Sequence, residues 1–147
     1  MARTHFTVGE VEALIPALER IFVHVLQLRA GLRAMEEKLD RAGVRMSRED
    51  LLESDAGTPE IRQAKAVFRG YYEALSDEID RVRALGGEVK DLDSGLVDFP
   101  SRRGGEEILL CWKLGEKSID YWHTVDGGFA SRRPIDEQVS RSPQRLD

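Results

Sequence analysis

Apolar residues recur at intervals of three and four over the first forty residues, and this spacing constrains the fold more than any other feature of the chain. One set stands seven residues apart, and a second set fills the positions between. The seam consists of Val11, Leu14, Leu18, Ile21, Val25, Leu28, Leu32, Met35 and Leu39. Side chains three or four positions apart share one face of a helix, so the seam predicts a long amphipathic helix.

The start of this helix has its own signal. Thr7 and Glu10 have the spacing of a capping box, which satisfies free backbone N–H groups at a helix N-terminus. Pro16 lies inside the pattern, and it predicts either a kink or a short opening turn followed by a second helix from Pro16. The apolar spacing continues across Pro16, which favours the kink. The helix is predicted to end near Gly43.

A second helix is predicted to begin at Thr58, as N-cap, and Pro59, and to stop at Gly86-Gly87. Its apolar seam consists of Ile61, Ala64, Phe68, Tyr71, Leu75, Ile79, Val82 and Leu85. At ~1.5 Å per residue, two helices of ~27–35 residues would each extend ~40–50 Å. Because one polar connector joins them, we expect an antiparallel hairpin.

After Gly87 the apolar period changes from helical to alternating. The segments EVKDL and LVDFP flank DSG, and EEILLCWKL and IDYWHTV flank GEKS. Turn residues between alternating runs predict an antiparallel meander of four strands. The predicted fold is therefore α+β, a single domain over residues 1–137 with a helical hairpin at 7–86 and a sheet at 88–125. Residues 138–147 are predicted to form a flexible tail.

Composition narrows the partners and the compartment. The 147 residues carry a net charge of −5, which argues against nucleic acid and anionic membranes as partners. A single cysteine indicates a reducing compartment. The N-terminus lacks the apolar segment of a signal peptide, and no run approaches the ~20 apolar residues that span a bilayer. The chain is predicted to be cytoplasmic.

The segment LLCWKLGEKSIDYWHT, residues 109–124, holds the only cysteine, both tryptophans and one of three histidines. A four-residue turn at GEKS would pair Trp112 with Tyr121 across a hairpin. Because side chains alternate along a strand, this register places Cys111 and His123 on opposite faces. It therefore argues against a shared Cys–His site and favours a packed or covered thiol for Cys111.

His123 is the main candidate for chemistry. It is either a core histidine bonded to a carbonyl or a carboxylate, or a ligand or acid–base group in a pocket. In the second case Asp98 and Glu106 are the candidate carboxylate partners, and Trp112 and Tyr121 are candidate pocket walls. The alternative for Asp98 is an aspartate that faces water.

The segments GGEVKDLDSGLVDFPS and EEILLCWKLGEKSIDYWHTVDGGFASRRPI, together with the opening FTVGEVEALIPAL, carry a family resemblance. Over about Thr4 to Ile135 the chain resembles the prokaryotic family known as domain of unknown function 2203. The resemblance implies no activity, cofactor or catalytic residue.

Two classes of function remain open, and the sequence favours the first of them as the leading function. The first is a non-enzymatic interaction or scaffold protein that forms a homo-oligomer, with a dimer favoured, or binds a helical partner, because helices this long outreach a small sheet. The second is a metal- or small-ligand-binding protein, a class that includes hydrolases, with a site at His123, Asp98 and Glu106. A divalent metal ion is the cofactor that such a site would hold. The sequence does not decide whether the protein is an enzyme.

Overall fold

A computed structural model describes residues 4–44 and 57–139 of the chain. Helices come first and an antiparallel sheet follows, which confirms the α+β prediction. The helices are α1 (Val8–Glu12), α2 (Ile15–Arg41) and α3 (Pro59–Ala84). The strands are β1 (Glu88–Asp91), β2 (Leu96–Arg103), β3 (Glu106–Lys113), β4 (Tyr121–Thr124) and β5 (Arg133–Pro134). The described residues form five strands where four were predicted, because Arg133 and Pro134 pair with β4 and add a short strand at the edge of the sheet.

The first helix is divided near Pro16. The capping box of Thr7 and Glu10 is present, and α1 ends at Glu12. A turn in which the Leu14 N–H donates to the Val11 carbonyl separates it from α2. The favoured prediction of one kinked helix was therefore wrong, and the alternative of two pieces holds. Pro16 is the second residue of α2, where the missing N–H costs no helical hydrogen bond.

The described residues group into two compact units. One of them, the helical unit, is made of residues 23–80. His24 Nδ1 lies 3.0 Å from Glu78 Oε1, and the Tyr71 ring lies against Gly31. Leu39 packs with Ala64 and Phe68 near the other end. Residue numbers rise along one helix as they fall along the other, so the hairpin is antiparallel. The connector at residues 45–56 lies outside the described residues.

The second unit holds residues 4–22 and 81–139 of the described chain. Its sheet has the order β1-β2-β3-β4-β5 with every neighbouring pair antiparallel. Phe22 packs on Trp112 with ring centres 5.9 Å apart, and Phe6 packs edge-on against Phe99 at 5.5 Å. The sheet face in these contacts is apolar, and we call it the core face. Its buried members are Val97, Phe99, Ile108, Leu110, Trp112 and Trp122.

The register of β3 and β4 differs from the prediction by one residue. Leu109 pairs with His123 and Leu110 pairs with Trp122. Residues 114–120 form a seven-residue connection instead of a four-residue turn. Glu116 shapes this loop, because its carboxylate accepts from the Lys113 N–H at 2.7 Å and its carbonyl accepts from the Trp112 indole at 3.0 Å. The prediction that Cys111 and His123 face opposite sides was therefore wrong.

The end of the chain is only partly described. Val139 is buried and pairs with Arg103 in an isolated bridge. It lies two residues beyond the predicted domain end at 137, while the rest of the predicted tail, residues 140–147, lies outside the described part. The assignment of a single domain over 1–137 stays a prediction. Among the described helices, none is long and apolar enough to cross a membrane.

Candidate metal site

Three potential metal ligands meet on the sheet face opposite the core face. Asp98 comes from β2, Cys111 from β3 and His123 from β4, so three neighbouring strands contribute one side chain each. One carboxylate oxygen, the thiol sulfur and one imidazole nitrogen all lie within 4.8 Å of one another. The residues are only 3%, 2% and 2% exposed, respectively. We call these three residues the Asp–Cys–His cluster.

Strand alternation and register place the cluster. Asp98 stands between Val97 and Phe99, both on the core face, so its side chain projects to the opposite side. Asp98 pairs directly with Cys111 in the β2–β3 ladder. On the other side of β3, His123 pairs with Leu109, two residues from Cys111 and therefore on the same face. A shift of either ladder by one residue would separate the three side chains.

Hydrogen bonds to both ring nitrogens define the state of His123. Nδ1 lies 2.8 Å from the carbonyl oxygen of Thr124, which can only accept, so Nδ1 carries a hydrogen and donates it. Nε2 lies 3.0 Å from Oδ2 of Asp98. Two bare lone pairs would repel at that distance, so one proton occupies the contact, either on the imidazole or on the carboxyl group. Both side chains of this pair are buried.

Cys111 keeps its proton at neutral pH. Burial, together with the negative charge of Asp98, raises the pKa of the Cys111 thiol to about 12, while Arg132 opposes the shift. Removing a proton from this thiol would place a second negative charge beside Asp98 in a low-dielectric site. The thiol is therefore inert as a nucleophile unless a cation enters the cluster.

A segment after β4 covers one side of this face, and we call residues 126–135 the strap. The Arg132 guanidinium lies 4.2 Å from the Tyr121 ring centre and 4.7 Å from that of Phe129. It also donates to both carboxylate oxygens of Glu116, at 2.7 and 2.8 Å, and to the Cys111 carbonyl at 3.1 Å. One terminal nitrogen of Arg132 makes these three hydrogen bonds, and together with the two aromatic contacts they fix the strap over β3 and β4.

A cavity lies on the other side, at the β1 edge of the sheet. Its volume is about 530 Å³, and it is open to solvent. Thr4, Arg83, Ala84, Glu88 and Asp98 are among its lining residues. Asp98 therefore belongs both to the Asp–Cys–His cluster and to the cavity wall.

The structure brings some of the candidate site residues predicted from the sequence together and leaves others apart. Asp98 and His123 are in direct contact, and Tyr121 lies on the same face beneath Arg132. Glu106 is exposed at the start of β3, where it pairs with Arg103, outside the cluster.

Two further residues correct the sequence-based picture. Trp112 is on the core face, not beside His123. Sequence reasoning missed Cys111 as a member of the site, and only the correct β3–β4 register would have found it.

The fold and the cluster define an α+β protein with a buried site of one carboxylate, one thiol and one imidazole. The family model described as "Uncharacterized conserved protein (DUF2203)" matches residues 4–135, so the chain belongs to this family and the resemblance seen in the sequence is confirmed. No curated protein matches the chain. No solved structure matches it either.

Proposed function

We propose that this protein binds a divalent transition-metal ion, with Zn²⁺ the best match, through Asp98, Cys111 and His123. The observation that carries the proposal is the orientation of His123. Its Nδ1 hydrogen is held by the Thr124 carbonyl, which leaves Nε2 directed at Asp98. Metal-binding histidines are oriented by this kind of bond from the second ring nitrogen to a carbonyl or carboxylate.

The donor types favour zinc over other common ions. Thiolate and imidazole are preferred ligands of Zn²⁺, whereas Mg²⁺ and Ca²⁺ select oxygen atoms. Ligand–metal distances of about 2.0–2.3 Å require the three donor atoms to lie within a few ångströms of one another. The three donor atoms of the cluster lie within 4.8 Å of one another, so a small adjustment of the side chains would bring all three to coordination distance. Three protein ligands on a tetrahedral ion leave one position for another ligand.

Charge balance supports the exchange of protons for an ion. Without metal, the cluster holds one proton on Cys111 and one in the Asp98–His123 contact. A divalent cation that replaces both protons leaves the net charge of the buried cluster unchanged. The site therefore avoids the cost of a buried uncompensated charge, which amounts to several kcal/mol per ion. The competing interpretation is a permanently hydrogen-bonded core histidine, which would hold its protons against Zn²⁺.

Calorimetric titration with Zn²⁺ tests the proposal. In buffers of different ionisation enthalpy at neutral pH, we expect one ion bound per chain and about two protons released per ion, because coordination requires deprotonated ligands. Raising the pH should increase the affinity for Zn²⁺. The Cys111 pKa is about 12, so below that pH the metal ion has to displace the thiol proton in order to bind. Absence of saturable binding, or binding without proton release, would contradict a site at this cluster.

Self-association through the helices is a second candidate property. Among the described residues, four of the six large hydrophobic side chains that are exposed lie in the helical unit: Val23, Leu26, Val67 and Tyr72. Exposed apolar side chains on long helices favour contact with a second copy or a helical partner. Size-exclusion chromatography with light scattering should give the mass of a dimer. A monomer mass at tens of micromolar would contradict this candidate.

A further inference from the structure

We infer that the cavity beside Asp98 is where a small uncharged or positively charged ligand reaches the metal ion and completes its coordination. This inference rests on the proposed function and extends it from an ion to a ligand class.

The position of Asp98 indicates the side from which a ligand approaches. The cluster extends across β2, β3 and β4, and the strap covers its β3–β4 end through Phe129 and Arg132, whose guanidinium lies against the Tyr121 ring. Asp98 is at the other end, next to the edge strand β1. Of the three cluster residues, Asp98 alone lines the open cavity, so a ligand would approach the bound ion from the Asp98 side.

The size of the cavity suits a small molecule. Ligand pockets span roughly 300–1,000 Å³, and this cavity of about 530 Å³ lies within that range. Its wall combines apolar residues such as Ala84 and Pro100 with polar ones such as Thr4. A mixture of apolar surface and polar groups is typical of sites that orient a small ligand.

The charges of the lining residues disfavour dianions. Among the described residues that line the cavity, Arg83 is the one cation and the Glu88 carboxylate offsets it, while the charge of Asp98 is balanced by the proton or the metal ion of the cluster. The C-terminal end of α3 also reaches the cavity at Ala84, and a helix C-terminus carries partial negative charge. Phosphate esters are therefore poor candidates, and uncharged or cationic molecules with an oxygen donor for the ion fit better.

Cobalt-loaded protein provides the test, because the visible spectrum of Co²⁺ responds to a change in its ligands. Acetohydroxamic acid, which is uncharged in neutral solution and offers oxygen donors, serves as the probe. We expect it to shift the bands of the wild type. Ala84→Trp should weaken this binding at least about tenfold by filling the cavity from the exposed end of α3. Thr4→Trp fills it from the opposite segment and gives a second, independent variant.

The matched control is Ala66→Trp, at an exposed position of the same helix outside the cavity lining, which should bind the probe as the wild type does. Equal affinity in the wild type and both cavity variants would overturn the inference, as would tighter binding of inorganic phosphate than of the probe. If the wild type bound cobalt and its spectrum did not change with the probe, the inference about the cavity would be overturned while the proposed metal site would stand. Failure of the wild type to bind cobalt would overturn the proposed function and this inference together.

Discussion

Cobalt bound to the wild-type protein is expected to give an intense thiolate-to-cobalt charge-transfer band, and Cys111→Ser is expected to abolish it. Cys111 is the only cysteine of the chain, so the band can report no other thiol. His123→Ala should lower the affinity for Co²⁺ and Zn²⁺ by more than about a hundredfold. The reason is that loss of an outer-shell partner already costs 10–100-fold, and His123 is proposed as a direct ligand.

Glu106→Gln is the matched control for this prediction. Glu106 is exposed and lies outside the cluster, so its loss should leave the cobalt spectrum and the affinity unchanged. Far-ultraviolet circular dichroism of each variant separates a lost ligand from a lost fold, and Cys111→Ser is a small change that should keep the fold. An unchanged band in Cys111→Ser, or an affinity lost equally in Glu106→Gln, would reject the assignment of the ligands.

Asp98→Ala is expected to destabilise the metal-free protein by about 3–5 kcal/mol. The substitution removes the hydrogen-bond partner of the buried His123 Nε2. Removing one member of a buried pair carries a cost of this size. The melting temperature should fall by roughly 10 °C or more for a chain of this length. Denaturant unfolding of the apo protein, with chelator present, measures the change in the free energy of unfolding.

Asp98→Asn distinguishes loss of the hydrogen bond from loss of the charge. The asparagine amide can donate to Nε2 of a neutral His123, whose Nδ1 still donates to the Thr124 carbonyl. Because this hydrogen bond is retained, we expect a cost below about 1 kcal/mol, the usual net value of one hydrogen bond. If Asp98→Ala were as stable as the wild type, the contact between Asp98 and His123 would not stabilise the fold. If the two variants lost the same free energy of unfolding, the loss would come from the charge of Asp98 and not from the hydrogen bond.

Much of the secondary structure could be predicted because its signals are local. The capping box at Thr7 and the Thr58-Pro59 start depend on neighbouring residues alone, and the structure has both. The change of apolar period after Gly87 likewise marks where helix gives way to strand. The break near Pro16 was harder, because the apolar spacing continues across it while the backbone does not.

Two of the three residues of the candidate site could also be predicted. Asp98 and His123 were both candidates, because a buried histidine needs a hydrogen-bond partner and Asp98 is a carboxylate in a neighbouring predicted strand. Glu106 was a candidate because it stands at the start of the third predicted strand, but it lies at the exposed end of that strand. Cys111 was set aside because the assumed turn placed it on the wrong face.

The sequence by itself determined which segments are helices, which are strands and which residues alternate on each strand. Only the tertiary structure decided how β3 and β4 align, because the turn residues GEKS do not fix the number of residues in the loop, and one residue more or less changes the parity of pairing. Contacts from outside the hairpin contribute to that choice: Glu12 of α1 accepts from the Ile119 N–H, and Arg132 of the strap pairs with Glu116. A one-residue shift turns every side chain of a strand to the other face, so these distant contacts determine whether Cys111 and His123 meet.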